Sequence, residues 1–144
     1  MFMLDTNVLV AIAEGDRNVL RRITELSNDE VAISALVEME FRTHVAGLPS
    51  DHPGYLLRTA VLDTLKVYPF DSTAAVRAAE LRRGLLDKGQ RANRIDTLIA
   101  AHAVSLGKVL VTNNTKDFEK IPDLQLDNWS KQSYGSRRFG PRNR

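Results

Sequence analysis

Short β-rich segments alternate with longer helical ones from one end of this chain to the other, and that alternation restricts the fold more than any other feature. It is the pattern of a parallel sheet covered by helices, an α/β fold with a three-layer α/β/α arrangement around four to five strands. Strands are expected near Phe2–Asp5, Val31–Ile33, Lys66–Tyr68 and Val109–Thr112, with a fifth near Leu124–Leu126. Helical stretches fill the gaps at Asn7–Glu14, Asp16–Ser27 and Tyr55–Leu65, the last after turn chemistry at Ser50-Asp51-His52-Pro53-Gly54. Ser34 is placed to cap a helix running to about Ala46, Asp71 or Ser72 a long one ending near Gly89, and Asn93 one ending at Gly107.

Open α/β sheets bind ligands outside the carboxyl ends of their strands. Asp5 ends the first strand and Thr112-Asn113-Asn114 follows the fourth, so both are expected on one rim. Three more acids, Glu40, Asp96 and Asp117, are candidates for the same pocket. Gathered carboxylates raise one another's pKa unless a cation sits among them, which makes a metal ion the reason for such a cluster. All-oxygen ligation suits Mg²⁺ or Mn²⁺, and the chemistry those ions serve in acidic pockets is phosphoryl transfer or phosphodiester hydrolysis.

Each acid has a purely structural alternative. Glu40 lies at the edge of an apolar stripe, Val37, Phe41, Val45 and Leu48, whereas Glu38 on the same helix points elsewhere. A carboxylate turned toward the core needs a partner, and an arginine would serve. Asp96 sits in a first helical turn beside the face marked by Ile95, Leu98, Ile99, His102 and Leu106, where the helix dipole alone favours an anion. Asp117 has the setting of a cap or turn residue. His102 is expected to be a hydrogen-bonded core histidine, and His44 and His52 have no partner at metal-ligand spacing. No nucleophile elbow, P-loop or dinucleotide fingerprint appears.

The chain of 144 residues fits one domain, with 43% hydrophobic and 26% charged residues as in ordinary soluble proteins. No apolar run is long enough for a membrane span, the opening residues do not read as a signal peptide, and the lack of cysteine points to a reducing cytoplasm. Of the 20 basic residues five, Lys131, Arg137, Arg138, Arg142 and Arg144, follow the last acid, Asp127. Residues 1–130 thus hold 15 basic against 18 acidic groups, about −3, and form the expected domain, while 131–144 is a basic tail at +5 with a composition that does not fold alone. That tail is either a disordered end or an arm for phosphate backbone. A second basic series, Arg77, Arg82, Arg83, Lys88, Arg91 and Arg94, is either a solvated helix face or an RNA-gripping rim.

Taken together the motifs resemble the PIN-domain ribonucleases, specifically the VapC-type toxins of bacterial toxin–antitoxin pairs. The resemblance rests on Met3-Leu4-Asp5-Thr6-Asn7, on Ile33-Ser34-Ala35 with Glu40 seven residues past Ile33, and on Pro69-Phe70-Asp71. It continues in Ile95-Asp96-Thr97-Leu98-Ile99-Ala100-Ala101-His102-Ala103, then Val111-Thr112-Asn113-Asn114-Thr115-Lys116-Asp117-Phe118, and closes with Leu126-Asp127-Asn128-Trp129. It covers residues 1–130 in the right order.

The resemblance implies a PIN-like fold in which Asp5 and Asp96 are the principal Mg²⁺ ligands, Glu40 binds metal or orients the attacking water, and Asp117 completes the site. It implies hydrolysis of structured RNA, tRNA or rRNA, to a 3′-hydroxyl and a 5′-phosphate. A VapB-type antitoxin is the implied partner, with a homodimer of the toxin and a higher assembly on operator DNA. One departure is Asn114, where many PIN domains carry an aspartate two residues after the threonine that is here Thr112. It leaves open a catalytically weak PIN domain that serves as a binding or co-repressor partner. A haloacid-dehalogenase-type phosphatase would need an acid where Asn7 stands, and a receiver domain would need a pair of acids beside the phosphorylated aspartate, which is missing.

Overall fold

The computed structural model describes residues 1–92 and 94–130. The strands β1 (Phe2–Leu4), β2 (Val31–Ser34), β3 (Lys66–Tyr68), β4 (Val109–Val111) and β5 (Leu126–Asp127) form one sheet in the order β3-β2-β1-β4-β5, with every neighbouring pair parallel. The chain steps outward from β1 to β2 to β3, then returns to the other side of β1 for β4 and β5. The reversal puts a topological switch point between β1 and β4, the place where sheets of this kind bind their ligands.

All but the last of the α-helices begin where a side chain satisfies free N–H groups. Asp5 caps α1 (Thr6–Glu14), and Asp16 caps α2 (Arg17–Thr24) through the N–H groups of Asn18 and Val19 at 3.0 and 3.1 Å. Ser34 caps α3 (Ala35–Ala46) through Leu36 N–H at 3.0 Å, and Asp71 caps α5 (Ser72–Asp87) through Ala74 N–H at 3.0 Å. The ends at Gly15 and Gly107 need left-handed backbone, with φ of 83° and 64°, where glycine carries no penalty.

Several boundaries differ from the sequence expectation, among them the end of α2, at Thr24 instead of Ser27. Helix α4 runs Pro53–Asp63, starting two residues before Tyr55, because Pro53 occupies its first position and His52 Nδ1 accepts from Gly54 N–H at 2.9 Å. A proline loses nothing at that position, so Pro-Gly here opens a helix instead of a turn. The last strand is Leu126–Asp127, shifted toward the carboxyl end of the expected Leu124–Leu126, since Leu110 N–H pairs with the Gln125 carbonyl and Thr112 N–H with that of Asp127. Helix α6 (Ile95–Leu106) has Arg94 at its cap position with no side-chain cap bond, and the expected cap, Asn93, lies outside the described residues, as does the basic tail.

The core is one cluster in which Leu4, Leu9, Ile33, Phe41, Ile99 and Leu110 are fully buried. Helix α6 is its central element. Of the face read from the sequence it buries Ile99 and His102, with Ile95, Leu98 and Leu106 only half-buried, and it buries in addition Thr97, Ala100, Ala101 and Ala103, small residues that let it lie close against its neighbours. His102 is the expected core histidine: Nδ1 lies 2.8 Å from Ser34 Oγ, Phe70 meets it edge-on at 5.3 Å, and burial pushes its pKa down. Trp129 closes the other end, edge-on to Phe2 at 5.3 Å with the Arg22 guanidinium over both rings. Between α1, α2 and α4 lies an apolar cavity of about 360 Å³, lined by Ile12, Ile23, Leu26, Leu57, Val61 and Leu65 among others. Among the described residues no helix is long and apolar enough to cross a membrane.

Candidate active site at the carboxyl ends of β1 and β4

Parallel pairing of Leu4 with Val111 brings the residues that follow them, Asp5 and Thr112, to the same level at the switch point. Asp5 N–H donates to the Val111 carbonyl at 2.9 Å, and Thr112 Oγ donates to Asp5 Oδ2 at 2.8 Å. The other carboxylate oxygen, Oδ1, accepts from Thr6 N–H at 2.8 Å. Asp5 is only 6% exposed. Burial is the largest influence on it and raises its pKa. The bonds from Thr112 and Thr6 oppose that shift, and the charges of Asp96 and Glu40 reinforce it.

Glu40 reaches this point from the middle of α3, accepting from Thr6 Oγ at 2.5 Å. The arginine that was its structural alternative pairs instead with Glu38, through Arg42 Nη2 at 2.8 Å. Two residues of separation on one helix therefore divide a surface ion pair from a carboxylate bonded to the residue after Asp5. Asp96 stands in the first turn of α6, where the helix dipole favours its charge, and its Oδ2 accepts from Arg94 Nη2 at 2.9 Å. Asp117 is exposed, in the single helical turn Thr115–Asp117 beyond β4. Its backbone N–H donates to the Asn114 carbonyl at 3.1 Å.

So three of the four candidate acids share one electrostatic neighbourhood. Their donors are all carboxylate oxygens, a set that suits a hard divalent cation. A buried carboxylate raised by two like charges is relieved by such a cation. Among the described residues no three Asp, Glu, His or Cys side chains converge tightly enough to enclose a metal by themselves.

Sequence reasoning placed Thr112 on the rim but gave it no role, and it overlooked Thr6 and Asn7. Asn7 Oδ1 accepts from Asn113 N–H at 3.1 Å and its Nδ2 donates to Thr112 Oγ at 3.2 Å. Their signal was proximity to Asp5 in the chain, but Thr6 also meets Glu40, 34 residues on, and the partners of Asn7 lie more than a hundred residues away, just past a strand whose adjacency to β1 no local pattern reveals. Of the basic series, Arg77, Arg83 and Arg94 pair with Glu80, Asp87 and Asp96, and Arg82 donates to the Ala92 carbonyl at 3.1 Å. The helix bearing three of the six, α5, is largely exposed, as a solvated face requires.

The model of the PIN domain matches residues 2–124. Ribonuclease VapC2 of Rickettsia felis is 34% identical over 91% of this chain and 99% of its own length. The tRNA(fMet)-specific endonuclease VapC of Salmonella typhimurium is 30% identical over 89% and 97%. Among solved structures, that of VapBC2 from Rickettsia felis bound to a DNA fragment from their promoter superposes with a TM-score of 0.77 at 30% identity, covering 89% of this chain and 98% of the other. The fold, the site at the β1–β4 switch point and these relatives agree: the chain belongs to the PIN-domain family, among the VapC ribonucleases.

Proposed function

We propose that this protein is an endoribonuclease toxin that hydrolyses phosphodiester bonds in structured RNA, tRNA or rRNA, with Mg²⁺ or Mn²⁺ held by Asp5 and Asp96 and with Glu40 completing the site. The observation that carries this reading is Asp5 itself, a buried carboxylate at the switch point with Glu40 and Asp96 close enough to raise its pKa. Asp96 is met by the half-exposed Arg94, and a cation among the three acids would relieve the like charges that bear on the buried Asp5.

When bound, the cation supplies charge neutralisation at the scissile phosphate and lowers the pKa of a water. Asp5 and Asp96 contribute the negative charge that holds it. Thr112 and Thr6 fix both oxygens of Asp5, so the ligand does not have to be oriented when the cation arrives. Glu40, held by the Thr6 hydroxyl, orients the attacking water and accepts its proton. The water oxygen joins phosphorus, the bond from phosphorus to the 3′-oxygen breaks, and that oxygen leaves as a 3′-hydroxyl with a proton from solvent, opposite a 5′-phosphate.

Arg94, 55% exposed beside Asp96, and the exposed Lys88 and Arg91 bring positive charge to a rim that would otherwise repel RNA. For partners the reading takes a VapB-type antitoxin, a toxin homodimer and a joint assembly on operator DNA, supported by the VapBC2 structure bound to promoter DNA. The apolar cavity between α1, α2 and α4 has the character of a groove for an amphipathic segment of such a partner. An RNA substrate sets the place of action in the cytoplasm. The test is cleavage of total tRNA and of ribosomes in Mg²⁺, with Asp5→Asn as control. Cleavage that needs both Mg²⁺ and Asp5 is expected, and binding without cleavage would favour a co-repressor.

A further inference from the structure

The bonds around Asp5 can be assigned donor by donor, starting from one backbone group. Asn113 N–H is a donor and nothing else, so the Asn7 side-chain atom 3.1 Å from it is the carbonyl oxygen Oδ1. The amide nitrogen of Asn7 therefore faces Thr112 Oγ, at 3.2 Å, and donates to it. Asn114 N–H donates to the same hydroxyl oxygen at 3.1 Å. A threonine hydroxyl has two acceptor sites and one proton. Both acceptor sites are filled, so its proton goes to the one remaining partner, Asp5 Oδ2 at 2.8 Å.

We infer that Asn7 is a positioning residue that sets the direction of the Thr112 hydroxyl and through it holds Asp5 as an oriented, acceptor-only carboxylate. Thr112 is fully buried, so its hydroxyl has no water to turn to. Asn7 is half-buried in the first turn of α1, within the helix that Asp5 caps. The far side of the relay is anchored as well. Asn113 Oδ1 accepts from Ser130 Oγ at 2.8 Å, and the Ser130 carbonyl accepts from Asn18 Nδ2 at 3.0 Å. The loop after β4 is thereby fixed to β5 and α2 as well as to α1.

The inference rests on the functional reading above, and Asp5→Asn tests that reading separately: an active Asp5→Asn protein would overturn the site whatever Asn7 does. For Asn7 the informative pair is Asn7→Asp against Asn7→Ala. Asn7→Asp keeps the shape and the acceptor for Asn113 N–H, but it offers Thr112 a carboxylate, which draws the hydroxyl proton away from Asp5. Asn7→Ala removes both bonds and empties one acceptor site of Thr112 Oγ, so that Asn114 N–H alone holds the hydroxyl toward Asp5, less firmly but without a competing acceptor. The expected result is that Asn7→Asp lowers kcat about ten-fold or more with KM for RNA within two-fold, and that Asn7→Ala is the milder change. In a Thr112→Val background the two variants should become equal within two-fold, because the hydroxyl they act through is gone.

Mn²⁺ binding followed by electron paramagnetic resonance supplies a readout apart from turnover. An added negative charge alone would tighten Mn²⁺ binding and leave kcat unharmed, so slow turnover with Mn²⁺ still bound separates misorientation from loss of the ion. Asn7→Ala being the more damaging variant would show that Asn7 only secures the loop, and would overturn the inference. So would an Asn7→Asp effect that multiplies undiminished with Thr112→Val.

Discussion

Asp5 and Asp117 are both acids at the carboxyl end of a central strand, and their surroundings could hardly differ more. Asp5 follows β1 directly and is buried, with each oxygen held by a donor and two other carboxylates near enough to be felt. Asp117 lies six residues past the end of β4, after a loop and inside a single exposed helical turn, where its backbone N–H meets the Asn114 carbonyl at 3.1 Å. The comparison separates a carboxylate fixed by the sheet from one carried on an exposed turn. What distinguishes Asp5 is rigid attachment: its backbone is bonded to the neighbouring strand, so its carboxylate inherits the fixity of the sheet. Functional groups held this way are preorganised, whereas a residue on an exposed turn must be ordered when substrate arrives.

The largest expected effects fall on the rigid side of that comparison. Asp5→Asn and Asp96→Asn should each abolish RNA cleavage while circular dichroism shows an unchanged fold, since each removes cation-binding charge and leaves a near-isosteric amide. Loss of helical signal in both would make them structural and break the comparison. A pH dependence follows from the raised pKa of Asp5. Between its unfolded value, near 3.8, and its higher folded value, the folded state holds the proton more tightly, so metal-free stability falls as pH rises through that window. Asp5→Asn should remove that slope in thermal melts at low ionic strength, and Mg²⁺ should oppose it in the unaltered protein. A slope that survives Asp5→Asn would place its origin elsewhere.

Next in size is the contrast within α3. Glu40→Gln should lower cleavage by ~10²-fold if the carboxylate takes the proton of the attacking water. Glu38→Gln breaks only an exposed i,i+4 pair with Arg42, worth ~0.5 kcal/mol or less in stability, and should leave activity unchanged. Asp117→Asn should cost less than ten-fold in turnover. A hundred-fold loss there would show that the turn after β4 closes onto the site with substrate bound. The smallest effect on turnover is expected from deleting residues 133–144, which removes four arginines. RNA affinity should weaken and its salt slope fall by up to ~3 units, at ~0.7 per phosphate contact, with the rate at saturating RNA unchanged. An unaltered affinity and slope would assign the tail no part in recognition.

Much of the fold was legible because each strand and helix announces itself locally. Caps at Ser34 and Asp71 and the stop at Gly107 are properties of a few adjacent residues, and the β–α alternation carries the parallel sheet. Glu40 could be separated from Glu38 by helical register alone, and the structure gives the two acids the separate partners that register implies. What was not legible depends on which strands become neighbours. The Asn7, Thr112 and Asn113 relay exists only because β1 and β4 pair across the whole chain, and no periodicity encodes that adjacency. Pro53-Gly54 misled for a different reason: the same dipeptide suits a turn and the first turn of a helix, and the side chain of His52 decides between them.

The central claim, that Asp5 at the β1–β4 switch point is the acid around which metal-dependent RNA cleavage is built, is tested most directly by one side-by-side assay. Purified protein, Asp5→Asn and Asp117→Asn are incubated at equal concentration with total tRNA and ribosomes in Mg²⁺, with a chelator lane for each. Discrete cleavage by the unaltered protein and by Asp117→Asn is predicted, with none from Asp5→Asn and none in chelator. Cleavage by Asp5→Asn at the rate of the unaltered protein, or cleavage that persists in chelator, would contradict the account.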